Sequence, residues 1–144
     1  MSVEENKTVV RRLYEEVWNK KDLGVVDELI AADFIDHNAS VGLAPGIDGF
    51  KQGFAIALVT FPDIRLTIED LIAEEDKVVS RVIAHGTQKG EIMGIPPTGK
   101  QVVFMCIDIV RIADSKIVER WSLIDLSSMI YQLHVVPPPG QAED

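Results

Sequence analysis

The sequence predicts an α+β fold: helices packed on one face of a curved antiparallel sheet, closing a cone around an apolar pocket. Two observations carry this. Apolar residues recur at every third or fourth position until residue 61. From residue 64 they alternate, in long runs separated by short turns.

The first helix is expected over 2–20. Ser2 and Glu5 have capping-box spacing, and Val9, Val10, Leu13, Tyr14, Val17 and Trp18 form one stripe. Asp22 can cap a second, short helix whose stripe is Leu23, Val26, Leu29 and Ile30. Phe34-Ile35-Asp36-His37 reads as a short strand, and the glycines of 41–49 as a loop. A third helix follows, with Phe50, Phe54, Ala57, Leu58 and Phe61 on one face, ended by Pro62.

Strands are expected at 64–69, 78–87, 101–112 and 117–125, with turns at 74–77 and 113–116 and a Gly/Pro-rich loop at 91–100. A helical turn over 126–133 and a tail without regular structure over 137–144 complete the chain. Residues 1–136 read as one domain.

The chain has 144 residues, 47% of them hydrophobic and 26% charged, which excludes a wholly disordered protein. A formal net charge of −9 argues against nucleic acid or an anionic membrane as partner. The N-terminus is polar and no run approaches the length of a membrane span, so the expectation is a soluble cytoplasmic protein. The one cysteine, Cys106, lies mid-strand among apolar residues and reads as an inert thiol. His37, His85 and His134 show no ligand spacing, so no metal is expected.

Gly94-Ile95-Pro96-Pro97-Thr98-Gly99-Lys100-Gln101 nearly spells a phosphate-binding loop. Gln101 stands where magnesium needs a hydroxyl, two prolines remove backbone donors, and a strand follows instead of a helix.

Asp125 is the leading candidate for chemistry, and two readings fit it. Among Trp121, Leu123, Ile124 and Leu126 its carboxyl would resist ionisation and serve as acid and base near neutral pH. Equally, Asp-x-x-Ser spacing would make it the cap of the final helical turn. His37 could polarise a substrate oxygen or orient a carboxylate. Arg81 and His85 share one strand face and would reach the pocket if that face is concave. Asp108 is a second candidate buried carboxyl, and Trp18, Tyr14, Phe50, Phe54 and Trp121 are candidate lining residues.

Taken in order, Val10-Arg11-Arg12-Leu13-Tyr14, Glu16-Val17-Trp18-Asn19, Phe34-Ile35-Asp36-His37, Phe61-Pro62-Asp63, Gly90-Glu91, Gly94-Ile95-Pro96-Pro97-Thr98-Gly99-Lys100, Ile107-Asp108-Ile109 and Ile117-Val118-Glu119 resemble the SnoaL-like polyketide cyclase (ester cyclase) family of the NTF2-like superfamily. The resemblance covers about residues 4 to 134. It implies an NTF2-like (cystatin-like) cone, a homodimer, and a polyketide-like small molecule as ligand. It also implies ring closure by intramolecular aldol condensation without metal or cofactor. The family's aspartate near the end of the last strand maps onto Asp125, and its pocket histidine onto His37. Two positions depart from the family's pattern: Arg120 and Gln88 stand where members often carry histidine. Rival readings are another proton-transfer or hydrolytic enzyme on the same scaffold (an isomerase with Asp108 or Tyr14 as oxyanion donor, or an epoxide hydrolase), and a binding module without catalysis.

Overall fold

The computed structural model describes residues 2–39 and 42–133; His134 and the expected tail at 137–144 lie outside the described residues. Helix α1, Val3–Arg12, is capped by Ser2, whose hydroxyl accepts the Glu5 amide at 3.1 Å. The chain then widens into π-helical turns over Leu13–Asn19, where the Lys20 amide reaches back to the Glu15 carbonyl at 3.2 Å. The single helix expected over 2–20 is therefore two segments of different pitch. Apolar spacing cannot separate them, because Leu13, Tyr14 and Val17 face the core in either. Asp22 accepts the Gly24 amide at 3.0 Å and starts a 3₁₀ turn, Leu23–Val25, followed by the one-turn helix α2, Val26–Leu29.

Strand β1, Ile30–Asp36, begins four residues before the expected Phe34 and runs parallel to the last strand, with Asp36 opposite Arg120. Helix α3, Ile47–Thr60, then leads to β2 (Arg65–Glu74), β3 (Lys77–Thr87), β4 (Gln101–Ala113), β5 (Lys116–Ile124) and helix α4 (Leu126–Gln132). The sheet order is β1-β5-β4-β3-β2. It is mixed and mostly antiparallel. The reason for the one parallel pair is the connection: β1 leaves through α3 to the far edge of the sheet, so no hairpin dictates its direction. The β4–β5 hairpin is a two-residue turn with Asp114 and Ser115 both at positive φ, matching the right-handed twist of the strands.

Register assigns the two sheet faces. Ser80, Asp108 and Ser122 stand side by side across β3, β4 and β5, as do Val78, Val110 and Arg120, and Val82, Cys106 and Ile124. These rows face the helices, where Val10, Leu13 and Val17 join Val78, Val82, Val102 and Val110 in one buried core. The intervening row of Arg81, Ile107 and Leu123, and that of Val79, Ile109 and Trp121, face outward. Among the described residues no helix is long and apolar enough to cross a membrane.

Candidate functional site

A cavity of about 600 Å³ lies where the π-helical turns and α3 face the ends of β1 and β5. Trp18, Phe50 and Phe54 form an aromatic wall; the Trp18 and Phe54 rings meet edge-on at 5.0 Å between centroids and 66° between planes. Leu43, Ile124 and Leu126 add to the apolar lining, with Leu123 at the end of β5 beside them. Gly49 admits the loop before α3, since a Cβ there would stand 1.7 Å from the Ala44 carbonyl oxygen.

One end of the cavity is polar, made by Asp36, Asn38, Arg120 and Ser122. The Arg120 guanidinium donates through one terminal nitrogen to Asp36 Oδ2 at 2.9 Å, and through the other to Ser122 Oγ at 3.1 Å. Its Nε and that second nitrogen reach Asp108 Oδ2 at 3.4 Å each. The Asn38 amide donates to Asp36 Oδ1 at 3.0 Å. Asp36 is 9% exposed and Asp108 5%, so one cation is shared by two nearly dehydrated carboxylates. Burial opposes the charge on Arg120, but Asp108 and then Asp36 outweigh it and hold the guanidinium charged.

Behind this layer the buried Tyr14 hydroxyl donates to Asp108 Oδ2 at 3.0 Å and stands 2.7 Å from Ser80 Oγ. A phenol has one proton, so Ser80 is the donor in that second contact. Burial first, and then the Asp108 charge, push the Tyr14 phenol far above its usual range, and it stays protonated. The other Asp108 oxygen, Oδ1, is buried with no hydrogen-bond partner among the described residues.

The expected site residues divide. Trp18, Phe50 and Phe54 line the cavity, as does His37 at its rim. Tyr14 and Asp108 lie on the inner face but not in the lining; they support Arg120 from behind. Arg81 and His85 are on the outer face, the opposite of a concave placement: Arg81 pairs with Asp70 at 2.6 Å, and His85 is exposed. Trp121 is also outside, stacked on the His37 ring at 4.9 Å and 11°.

Asp125 takes the capping alternative. Its carboxylate accepts the Ser128 amide at 3.1 Å, caps α4 and is exposed. Strand parity explains this: Arg120, Ser122 and Ile124 point inward, so the following residue does not. The apolar hollow expected around its carboxyl is absent. His37 is likewise engaged outside, with Nε2 2.8 Å from Glu119. That contact, and then the one from Arg111, hold the Glu119 carboxyl below its usual range. Cys106, as an inert thiol should be, is pushed up to about 12, chiefly by burial.

Sequence reasoning passed over Asp36, Ser122 and the part played by Arg120. Alternation gave no usable signal for them, because with Trp121 expected in the lining it would have turned Arg120 and Ser122 outward. Of the two departures from the family's pattern, only Arg120 is at the cavity. Gln88 is fully buried elsewhere, its amide donating to the carbonyls of Gly90, Ile95 and Pro96 and accepting from Thr98 at 2.6 Å. It pins the 90–100 loop that resembled a phosphate cradle. Among the described residues no cluster of three His, Cys, Asp or Glu side chains could hold a metal ion.

The profile of SnoaL-like polyketide cyclases matches residues 8–133. AclR of Streptomyces galilaeus, described as a candidate hydroxylase, is 28% identical; the alignment covers 95% of this chain and 89% of AclR, with a TM-score of 0.84. IdmH of Streptomyces antibioticus, described as a candidate polyketide cyclase, is 32% identical over 90% of this chain and 99% of IdmH, with a TM-score of 0.78. A candidate SnoaL-like polyketide cyclase from Jannaschia is 26% identical over 93% and 94% of the two chains, with a TM-score of 0.80. No curated protein matches the chain.

Proposed function

The chain belongs to the SnoaL-like polyketide cyclase family, and from that premise we propose that it closes a ring in a polyketide-like ester by acid–base catalysis, with Asp36 as the proton acceptor. The observation that carries this reading is the placement of Asp36 and Arg120 together at the polar end of an otherwise apolar cavity. Asp36 takes a proton from a carbon flanked by carbonyls. The enolate oxygen is stabilised by the Arg120 guanidinium and the Ser122 hydroxyl. The enolate carbon attacks a second carbonyl of the same molecule, forming the new C–C bond, and protonated Asp36 returns the proton to the alkoxide. No electron carrier or metal enters this balance. The aromatic wall excludes water and folds the substrate, and such orientation contributes roughly 7–11 kcal/mol to lowering a barrier of this kind.

Two other chemistries find less support. An isomerase built on Tyr14 or Asp108 needs an oxyanion donor at the cavity, whereas the Tyr14 proton goes to Asp108 and neither residue is in the lining. Opening an epoxide needs a base for water and an acid for the leaving oxygen. Of the two carboxylates on Arg120 only Asp36 lines the cavity.

The test is deuterium exchange at the activated carbon of an aryl β-keto ester, followed by NMR. Asp36→Asn is expected to slow exchange at least about 100-fold with the fold intact. An unchanged rate would remove Asp36 from the reaction. The homodimer belongs to the same proposal. Exposed Val103, Ile107, Ile109 and Leu123 give the outer sheet face the apolar character that a second copy would cover. Sedimentation equilibrium at micromolar concentration should give twice the chain mass, and a monomer there would count against it.

A further inference from the structure

Strand β5 outruns β1. The parallel ladder ends at Asp36 opposite Arg120, where the His37 amide still reaches the Arg120 carbonyl at 2.9 Å. Beyond that point Ser122, Leu123 and Ile124 all line the cavity. Three consecutive strand residues cannot all do so through their side chains, and the Leu123 side chain lies on the outer face, 74% exposed. What the three share at the cavity is the bare main-chain edge of β5.

Alternation fixes which groups that edge presents. The Ser122 amide turns to the β1 side, where Asn38 Oδ1 accepts it at 2.9 Å. The Asp125 amide turns the other way, to the Met105 carbonyl of β4 at 2.9 Å. The Ser122 carbonyl and the Ile124 amide therefore face the β1 side, and neither has a partner among the described residues. Elsewhere the molecule closes such gaps with side-chain amides. Where β4 outruns β5, Gln132 accepts the Val103 amide at 2.7 Å and donates to the Val103 carbonyl at 2.6 Å. Asn19 does the same for Leu66 of β2, at 2.7 and 2.8 Å. Asn38 begins such a closure on β5 and stops one rung short, at the cavity.

The Ser122 carbonyl and the Ile124 amide flank Leu123. In a parallel ladder one residue bridges such a pair: its N–H donates to the first and its C=O accepts from the second. Resting on the reading that Asp36 works at the polar end of this cavity, we propose that the substrate is an N-acylated aminoacyl ester that takes this open rung. Its N–H donates to the Ser122 carbonyl, and its next carbonyl accepts from the Ile124 amide. Direction matters here. A unit lying parallel to β5 has its nitrogen nearer Arg120 and its carbonyl nearer Leu126. The acyl group on that nitrogen is then the part that meets Asp36, Arg120 and Ser122, and a β-ketoacyl group brings its activated methylene to the proton acceptor. Paired residues of a parallel ladder point their side chains the same way, so an apolar aminoacyl side chain lies with Leu123 at the rim.

The experiment is a ¹H–¹⁵N NMR titration of the full chain with three probes. They are N-acetoacetyl-leucine methyl ester, its N-methyl analogue, and the depsi analogue with oxygen in place of N–H. With the first probe the Ile124 amide proton is expected to move downfield and to exchange more slowly with solvent. Both analogues are expected to bind at least about tenfold more weakly, since each leaves the Ser122 carbonyl without a donor. The depsi analogue keeps the shape and removes the donor alone, so it decides if the two analogues disagree. Equal affinity for the first probe and the depsi analogue overturns the proposal. So does binding of the first probe with the Ile124 amide unmoved, or no binding of it at millimolar concentration. The same samples separate this proposal from the reading it rests on. Deuterium exchange at the acetoacetyl methylene without a response at Ile124 keeps Asp36 as the base and removes the amide site. A response at Ile124 without exchange keeps the amide site and removes Asp36 as the base.

Discussion

On the outer face of the sheet Arg81 meets Asp70 at 2.6 Å with both side chains well exposed. On the inner face Arg120 meets Asp36 at 2.9 Å with the carboxylate almost wholly buried. The outer pair is the shorter, yet water screens it and its side chains must be ordered to form it, so it contributes little. The inner pair is longer and shared, but each group was dehydrated to reach it, and each depends on the others. The contrast teaches that contact distance is a poor guide to importance here. Burial decides, and the carboxylates of the inner face are the buried ones.

Breaking the inner cluster should therefore have the largest consequence. Arg120→Met leaves two buried carboxylates without a counter-charge and should cost about 3–5 kcal/mol of stability, read from urea unfolding at neutral pH. The loss should shrink as the pH falls and the stranded carboxylates take up protons. A variant as stable as the parent would mean that the cluster is better solvated than its 5–9% exposures indicate. Tyr14→Phe is the intermediate case. It removes the hydrogen bond to the charged Asp108 and the acceptor that Ser80 uses while keeping the ring in the core, and should cost roughly 1.5–3 kcal/mol by the same measurement. Arg81→Ala is the outer control. The expected change is between zero and about 1 kcal/mol, and smaller still at high salt. If the outer pair proved as costly to break as the inner one, the distinction between the faces would fail.

Much of this organisation was legible beforehand, and the failures have physical causes. The shift from helical to alternating spacing near residue 64 located α1, α3 and four of the strands, because burial of one face imposes those periods. The parallel pairing of β1 was not legible, since short strands such as Ile30–Asp36 carry no sign of direction. Nor was the pitch change at Leu13, as apolar spacing serves both helix types. The site was half visible. Trp18, Phe50 and Phe54 announced an aromatic wall through their spacing alone. Asp125 drew attention because its neighbours in sequence are apolar, but neighbours along a strand point to opposite faces. Its carboxylate caps α4 in solvent while Ser122 and Ile124 look inward. Arg120 stood out only as a departure from histidine. Its meaning came from Asp36 and Asp108, brought to it from β1 and β4 by pairing that local sequence does not encode.

The two aspartates offer the most direct decision. Deuterium exchange into an aryl β-keto ester, measured side by side for Asp36→Asn and Asp125→Asn, should fall at least about 100-fold in the first and stay at the parent rate in the second. The reverse pattern, with loss at Asp125 and none at Asp36, would contradict the placement of the proton acceptor at the Arg120 end of the cavity.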